Sequence, residues 1–258
     1  MSITLSRIKK AARMLRTEGP VYTLRLTCTR LLLCARARLT EELFERRFGV
    51  RTRGKISLES LGIEDPDSVW YAPTSYPAFF NAMKHVPISG AFVDYGSGLG
   101  RTLVAAGTFP FNRVTGVELS QSLVERSLEN IARARGTICQ NIEVVCTNAA
   151  YWRVPSDVTV FHFYNPFLKQ TLRTVVGNIA QSLREAPRQA WIVFANPWGM
   201  APIMRSGDVI PPEWQKHTID EIWPLFPVPK DDPDGARYRV YALDSRRICS
   251  AALSIRSG

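Results

Sequence analysis

The stretch Phe92-Val93-Asp94-Tyr95-Gly96-Ser97-Gly98-Leu99-Gly100-Arg101 decides the fold. An apolar run of strand length, Ala91–Tyr95, leads straight into three alternate glycines, and a helical pattern over Leu99–Gly107 follows. Glycines at such a turn let the backbone reverse sharply and approach a ligand closely. The helix start behind them offers free N–H groups to an anionic group. In open α/β sheets ligands bind outside the carboxyl ends of the strands, which is where this turn lies. The spacing discriminates between ligands. A dinucleotide fingerprint needs G-x-G-x-x-G, and Arg101 stands where the third glycine should be. What is present is D-x-G-x-G-x-G, with Asp94 two residues before the first glycine.

Outward from this unit the alternation repeats. Apolar runs at Arg113–Glu118, Ile142–Thr147, Val158–Tyr164 and Ala190–Ala195 alternate with helical stretches, the clearest at Ser120–Ala134 and Phe167–Glu185. In the first of these helices Val124, Leu128 and Ile131 keep the 3.6-residue period. Near-continuous Val/Ile/Phe strands are expected where helices cover both faces of a parallel sheet. The order predicts an α/β fold with a doubly wound, mostly parallel sheet. Phe79, Phe80, Ala82 and Met83 suggest a short helix ahead of it, and Ile219–Trp223 and Arg237–Leu243 are read as its last strands. The acidic run Glu64-Asp65-Pro66-Asp67 reads as a linker or surface loop.

A second element agrees with the glycine loop. In Gly116-Val117-Glu118-Leu119-Ser120 the acid closes the second strand. A carboxylate there accepts from both hydroxyls of a ribose diol in nucleoside-binding sheets. A surface glutamate complementing the next helix dipole is the alternative.

On these residues the sequence resembles the class I S-adenosylmethionine-dependent methyltransferases, over residues 70–245. Asp94-Tyr95-Gly96-Ser97-Gly98-Leu99-Gly100 is similar to that family's first motif and Val117-Glu118 to its second. The resemblance implies S-adenosyl-L-methionine as cofactor. Asp94, Gly96, Ser97, Gly98 and Gly100 would form the loop at the methionine moiety, Glu118 would hold the ribose, and Leu119 would pack near the adenine. Where the family usually has Asp-Ala after the third strand, touching the adenine amine, this chain has Asn148-Ala149. An amide can also accept from that amine. Tyr71-Ala72-Pro73-Thr74 is similar to a segment that folds over the cofactor in bacterial relatives, so Tyr71 and Thr74 join the candidate cofactor residues. Simple packing of Tyr71 beside Trp70 is the alternative.

The fourth strand ends in Phe163-Tyr164-Asn165-Pro166-Phe167, and the form recurs after the fifth as Phe194-Ala195-Asn196-Pro197-Trp198. Proline stops ladder pairing, so each Asn-Pro is expected to present an amide and open carbonyls at the ligand edge. The Asn165 segment resembles the Asn-Pro-Pro-aromatic motif of methyltransferases acting on amino nitrogens, with one proline fewer. It also resembles the Asn-Asn-Phe element of Dot-type histone-lysine methyltransferases. The resemblance makes Asn165 and Pro166 the candidate catalytic residues, with amide and proline carbonyl accepting the nucleophile's hydrogens. A strand-ending turn is the alternative, and for Asn196 the stronger one.

Composition bounds the rest. With 45% apolar and 22% charged residues over 258 positions, the chain is globular rather than disordered or collagenous. No apolar run reaches the length of a membrane helix; Leu24 to Ala35 is broken by Arg25 and Arg30. The net charge of +10 is confined to residues 1–55, which hold fourteen Lys/Arg against four Glu; residues 56–258 are neutral. The expected organisation is therefore a basic helical extension, 1–55, on a methyltransferase domain, 56–258. Residues 4–17 look helical. In a second helix Leu24, Cys28, Leu31, Leu32, Ala35, Leu39 and Leu43 form a stripe. The extension has three open readings: a solvated, partly packed helical pair, an anionic membrane surface as partner, or nucleic acid. An organellar transit peptide is a fourth, disfavoured one. Five scattered cysteines without a CxxC fit reduced thiols in a cytoplasmic protein, with membrane association left open. His162 reads as a core residue, and no metal site or Ser/His/Asp constellation is expected.

The function expected is methyl transfer from S-adenosyl-L-methionine to a nitrogen or oxygen nucleophile of an unidentified acceptor. The alternative is a non-catalytic nucleoside-binding or scaffold module recruited through its basic arm.

Overall fold

Strand β1 (Ala91–Tyr95) is buried at every position, as a strand covered on both faces must be. A computed structural model describes residues 13, 15–195, 215–218 and 239–245. Among these, the helix starts and stops follow local chemistry. Helix α1 (Pro20–Phe48) opens on proline, which needs no N–H partner at a first turn. Helix α2 (Tyr76–Met83) carries Pro77 in its first turn. Helix α3 (Arg101–Ala106) starts from Gly100 in a left-handed conformation, φ 78°. Strand β2 (Arg113–Glu118) leads into α4 (Gln121–Arg133), capped by the Ser120 hydroxyl accepting from Leu123 N. Then come β3 (Ile142–Cys146), β4 (Val158–Phe163), α5 (Lys169–Glu185), β5 (Gln189–Phe194), β6 (Gln215–Thr218) and β7 (Arg239–Asp244).

The seven strands form one sheet in the order β3-β2-β1-β4-β5-β7-β6. The first five are parallel; β7 runs antiparallel to β5 and β6. The order reverses between β1 and β4, which makes their carboxyl ends the topological switch point. Side-chain alternation splits the core. Ala91, Val93 and Tyr95 join Phe161, Phe163 and the α5 residues Leu172, Val175 and Ile179 on one face. Phe92 joins Phe79, Met83, Leu103 and Val114 on the other.

The five central strands and the three helices lie within two residues of their expected bounds. The doubly wound sheet of the sequence reading is the observed architecture. The strand expected over Ile219–Trp223 lies outside the described residues, and the described sixth strand is Gln215–Thr218 just before it. Most of the expected helix over 4–17 also lies outside them.

The chain divides into two compact units, one running to Leu43 and the other beginning at Phe44. The sequence reading drew the boundary at residue 55. Phe44–Lys55 belongs to the second unit because its side chains are core there: Phe48 and Val50 are buried, Phe44 stacks on Tyr76 and Phe80, and Phe48 meets the same two rings at a tilt.

Candidate functional site

A cleft of about 710 Å³, counting its open mouth, lies at the carboxyl ends of β1, β2 and β4. Gly96, Glu118, Leu119, Asn148, Asn165, Pro166 and Tyr71 all line it. Its lining combines apolar Leu119, Leu123, Ala149, Leu61 and Ile63 with Tyr164, Asn165 and Pro166.

Glu118 is buried at the end of β2. Its Oε2 accepts from Gly98 N at 2.8 Å and its Oε1 from Ser120 N at 2.9 Å. Burial raises its pKa above the ordinary carboxylate range, and the N–H bonds from Ser120, Gly98 and Leu119 oppose that rise. The glutamate thus fixes the glycine loop as well as facing the cleft. Two glycines of that loop are required by close neighbours. Gly96 (φ 70°) lies against Pro166, and Gly98 (φ 55°) lies under the Tyr71 ring, so a Cβ at either position would collide.

Tyr71 is held on three sides. Its backbone pairs with Ile56 in both directions, and its hydroxyl donates to Thr52 O at 2.6 Å. Burial raises the phenol's pKa, so it stays a neutral donor. Its ring covers the glycine loop, so packing against Trp70 alone does not describe it. Trp70 instead is half exposed, with Lys55 Nζ 4.4 Å from its ring centre.

Residues 65–71 form a strap across the end of β4. Val69 N donates to Pro166 O at 3.2 Å, and Leu168 N donates to Asp67 O at 2.8 Å. Asp67 Oδ2 accepts from Thr171 N at 3.1 Å and from its hydroxyl at 3.3 Å. Leu168, at the N-cap of α5, has no side chain able to cap it, and Asp67 supplies that carboxylate from 104 residues away. The acidic run is a surface loop, as expected, with Glu64 and Pro66 exposed, and its Asp67 ties it down as a strap. The Pro166 carbonyl, expected to be open, already accepts one hydrogen bond from it. Asn165 precedes a proline, a position biased to extended backbone, yet it sits at φ 46°, the left-handed region that asparagine tolerates better than most residues. Lys169 shares that region at φ 45°. Two such residues four positions apart mark a segment whose shape is imposed by its surroundings.

Asn148 caps the short 3-10 turn Ala149–Tyr151, its Oδ1 accepting from Ala150 N at 2.9 Å. That oxygen is engaged before any ligand arrives and keeps one lone pair for a second donor. Asp94, Ser97, Gly98, Gly100 and Thr74 do not line the cleft. Asp94 turns to the α2–α3 face, where its Oδ1 lies 2.7 Å from His162 Nδ1. The register sets Asp94 opposite His162, and Phe79 and Phe92 enclose the imidazole. His162 is the core residue the sequence reading expected. Ser97 packs under Gly116, and Gly100 packs against Ser127.

Thr74 enters through its carbonyl, as part of a network that sequence reasoning missed. Arg101 is 3% exposed. Its Nε donates to Thr52 Oγ1 at 2.7 Å, one terminal nitrogen to Thr74 O at 2.9 Å, and the other to Glu45 Oε1 at 3.0 Å. Its guanidinium lies 4.4 Å from the Tyr76 ring centre. Glu45 in turn accepts from Thr52 N at 2.7 Å and Thr52 Oγ1 at 2.6 Å. The residue that broke the dinucleotide fingerprint thus anchors the segments around the glycine loop. Its signal was an arginine at the start of a buried helix, a position that demands partners. The Asn196–Pro197 pair lies outside the described residues. Among the described residues no cluster of His, Cys, Asp and Glu could hold a metal ion.

No protein-family model matches the sequence, and no curated protein sequence matches it. Solved structures do match in fold. The methyltransferase domain of a bacterial Hen1 aligns with 66% of this chain and 96% of its own, at TM-score 0.48 and 12% identity. An RNA methyltransferase from Salinibacter ruber, solved with S-adenosyl-L-homocysteine, aligns with 67% of this chain and 93% of its own, at TM-score 0.42 and 19% identity. Human methyltransferase 10 domain containing protein aligns with 83% of this chain and 98% of its own, at TM-score 0.50 and 13% identity. With its strand order and its glycine loop at the switch point, the chain has the class I methyltransferase fold.

Proposed function

We propose that the protein is an S-adenosyl-L-methionine-dependent methyltransferase that acts on a nitrogen or oxygen nucleophile. The observation that carries this reading is the placement of Gly96, Glu118 and Asn165 around one cleft at the switch point. The residues present suit the group. Apolar Leu119, Leu123 and Ala149 in the lining suit a purine, and the buried Glu118 carboxylate suits a ribose diol. The glycines leave room for close approach wherever Tyr71 and Pro166 yield it. When bound, the cofactor supplies an electrophilic methyl group. The chain's own contribution is to place a nucleophile, exclude water and orient a lone pair, which requires no strong acid–base pair. Asn165 lines the cleft, and its amide oxygen suits acceptance of a hydrogen from an incoming amine or hydroxyl. The strap bond from Val69 leaves the Pro166 carbonyl one lone pair for the same task.

The test is labelled-methyl transfer into fractionated cell extract, followed by kinetics of Asn165→Gly on the fraction that takes label. Glycine keeps the left-handed backbone and removes only the amide, whereas alanine would add strain. The expected result is a kcat lower by about 10²–10³ with cofactor affinity unchanged. An unchanged kcat would reduce Asn165–Pro166 to a strand-ending turn.

A further inference from the structure

Helix α1 leaves several large apolar side chains exposed between Val21 and Leu43: Val21 is 80% exposed, Leu32 72%, Leu24 66% and Leu31 64%. Leu39 and Leu43 are more than half exposed as well, while the polar Thr23 is buried. At 3.6 residues per turn these positions fall on one side of the helix and form a row roughly 33 Å long. No charged residue interrupts the row between Val21 and Leu39. Arg25 and Arg36 border one edge and Arg38 the other. Apolar residues are not confined to this side, since Leu26 lies half-buried across the helix. The row is therefore defined by its exposure rather than by a gradient along all of α1. Residues 1–43 hold nine Lys/Arg against three Glu, a net charge of +6.

We infer that this helix lies on an anionic phospholipid surface. A contiguous exposed apolar row on a soluble unit marks an interaction site. Leucines flanked by arginines match the boundary of a bilayer, where acyl chains take the leucines and anionic headgroups take the guanidinium groups. No helix among the described residues is long and apolar enough to cross a membrane, so the fit is to lying in the interface. Nucleic acid would use the charge but has no use for the leucine row, and aromatic residues for base stacking are sparse here.

The test uses the full chain with vesicles of phosphatidylcholine alone or mixed with phosphatidylglycerol, floated at low and high salt. Leu31→Gln, Leu32→Gln and Leu39→Gln are combined in one variant, because glutamine keeps helix propensity. Circular dichroism confirms its fold. Binding to the anionic vesicles only, weakened by salt and lowered about a hundredfold in the variant, is expected. Three results would overturn the inference. One is no vesicle binding at either salt. Another is binding to RNA alone with the variant unaffected. The third is a wild-type oligomer that the variant dissociates, which would make a second copy the row's partner.

Discussion

At the residue scale, Glu118 carries the most chemistry with the least freedom. It is buried, so its charged form is disfavoured, yet a ribose diol needs that charged form as its acceptor. The sign follows. The shift raises the folded pKa, so the carboxylate is ionised above the raised value and lost as an acceptor when the pH falls through it. Affinity for an adenosine-containing ligand should therefore begin to fall at a higher pH than a solvent-exposed glutamate would give, near 4.3. Titration calorimetry across the acid range checks this, and Glu118→Gln should flatten the profile while binding weakly. The same shift makes Glu118 alone destabilising at neutral pH, a penalty that fades in acid. Glu118 was legible in the sequence because it closes a strand whose period and end were both plain. The Asp94–His162 pair and the Arg101–Glu45–Thr52 network were not. Their partners stand 68, 56 and 49 positions apart, and only the placement of β4 beside β1 and the return of Phe44–Lys55 onto α3 bring them together.

At the scale of elements, the strap explains why the end of β4 keeps a left-handed asparagine. Val69, Ser68 and Asp67 pair with Pro166, Phe167, Leu168 and Thr171, so segment and cleft rim hold each other. Asp67→Ala should lower stability by about 1 kcal/mol through loss of the α5 cap, and Asp67→Asn by much less, since asparagine caps nearly as well. Urea unfolding of the three proteins checks it; equal losses for both variants would mean that the carboxylate charge matters more than the cap. The strap was unreadable from sequence for a physical reason. A Pro-containing acidic run has the composition of a solvated loop, and what orders it here is an uncapped helix start far along the chain. Strands β1, β4 and β5, by contrast, announced themselves, because burial on both faces forces an apolar run that needs no knowledge of neighbours.

At the scale of the whole molecule, a doubly wound fold with a net charge of +4 from Phe44 onward and a basic helix with an exposed apolar row coexist in one chain. The sheet order places the glycine loop, the buried acid and the Asn-Pro turn at one edge, although they come from three different strands. That convergence is the central claim, and ligand choice tests it most directly. The measurement is calorimetric titration of the full chain with S-adenosyl-L-homocysteine and, separately, with NADH, for the wild type and for Glu118→Gln, whose side chain lines the cleft. Saturable binding of S-adenosyl-L-homocysteine to the wild type, no binding of NADH, and weakened binding in Glu118→Gln with the fold retained by circular dichroism are expected. Binding of NADH without S-adenosyl-L-homocysteine, or of neither, would contradict it.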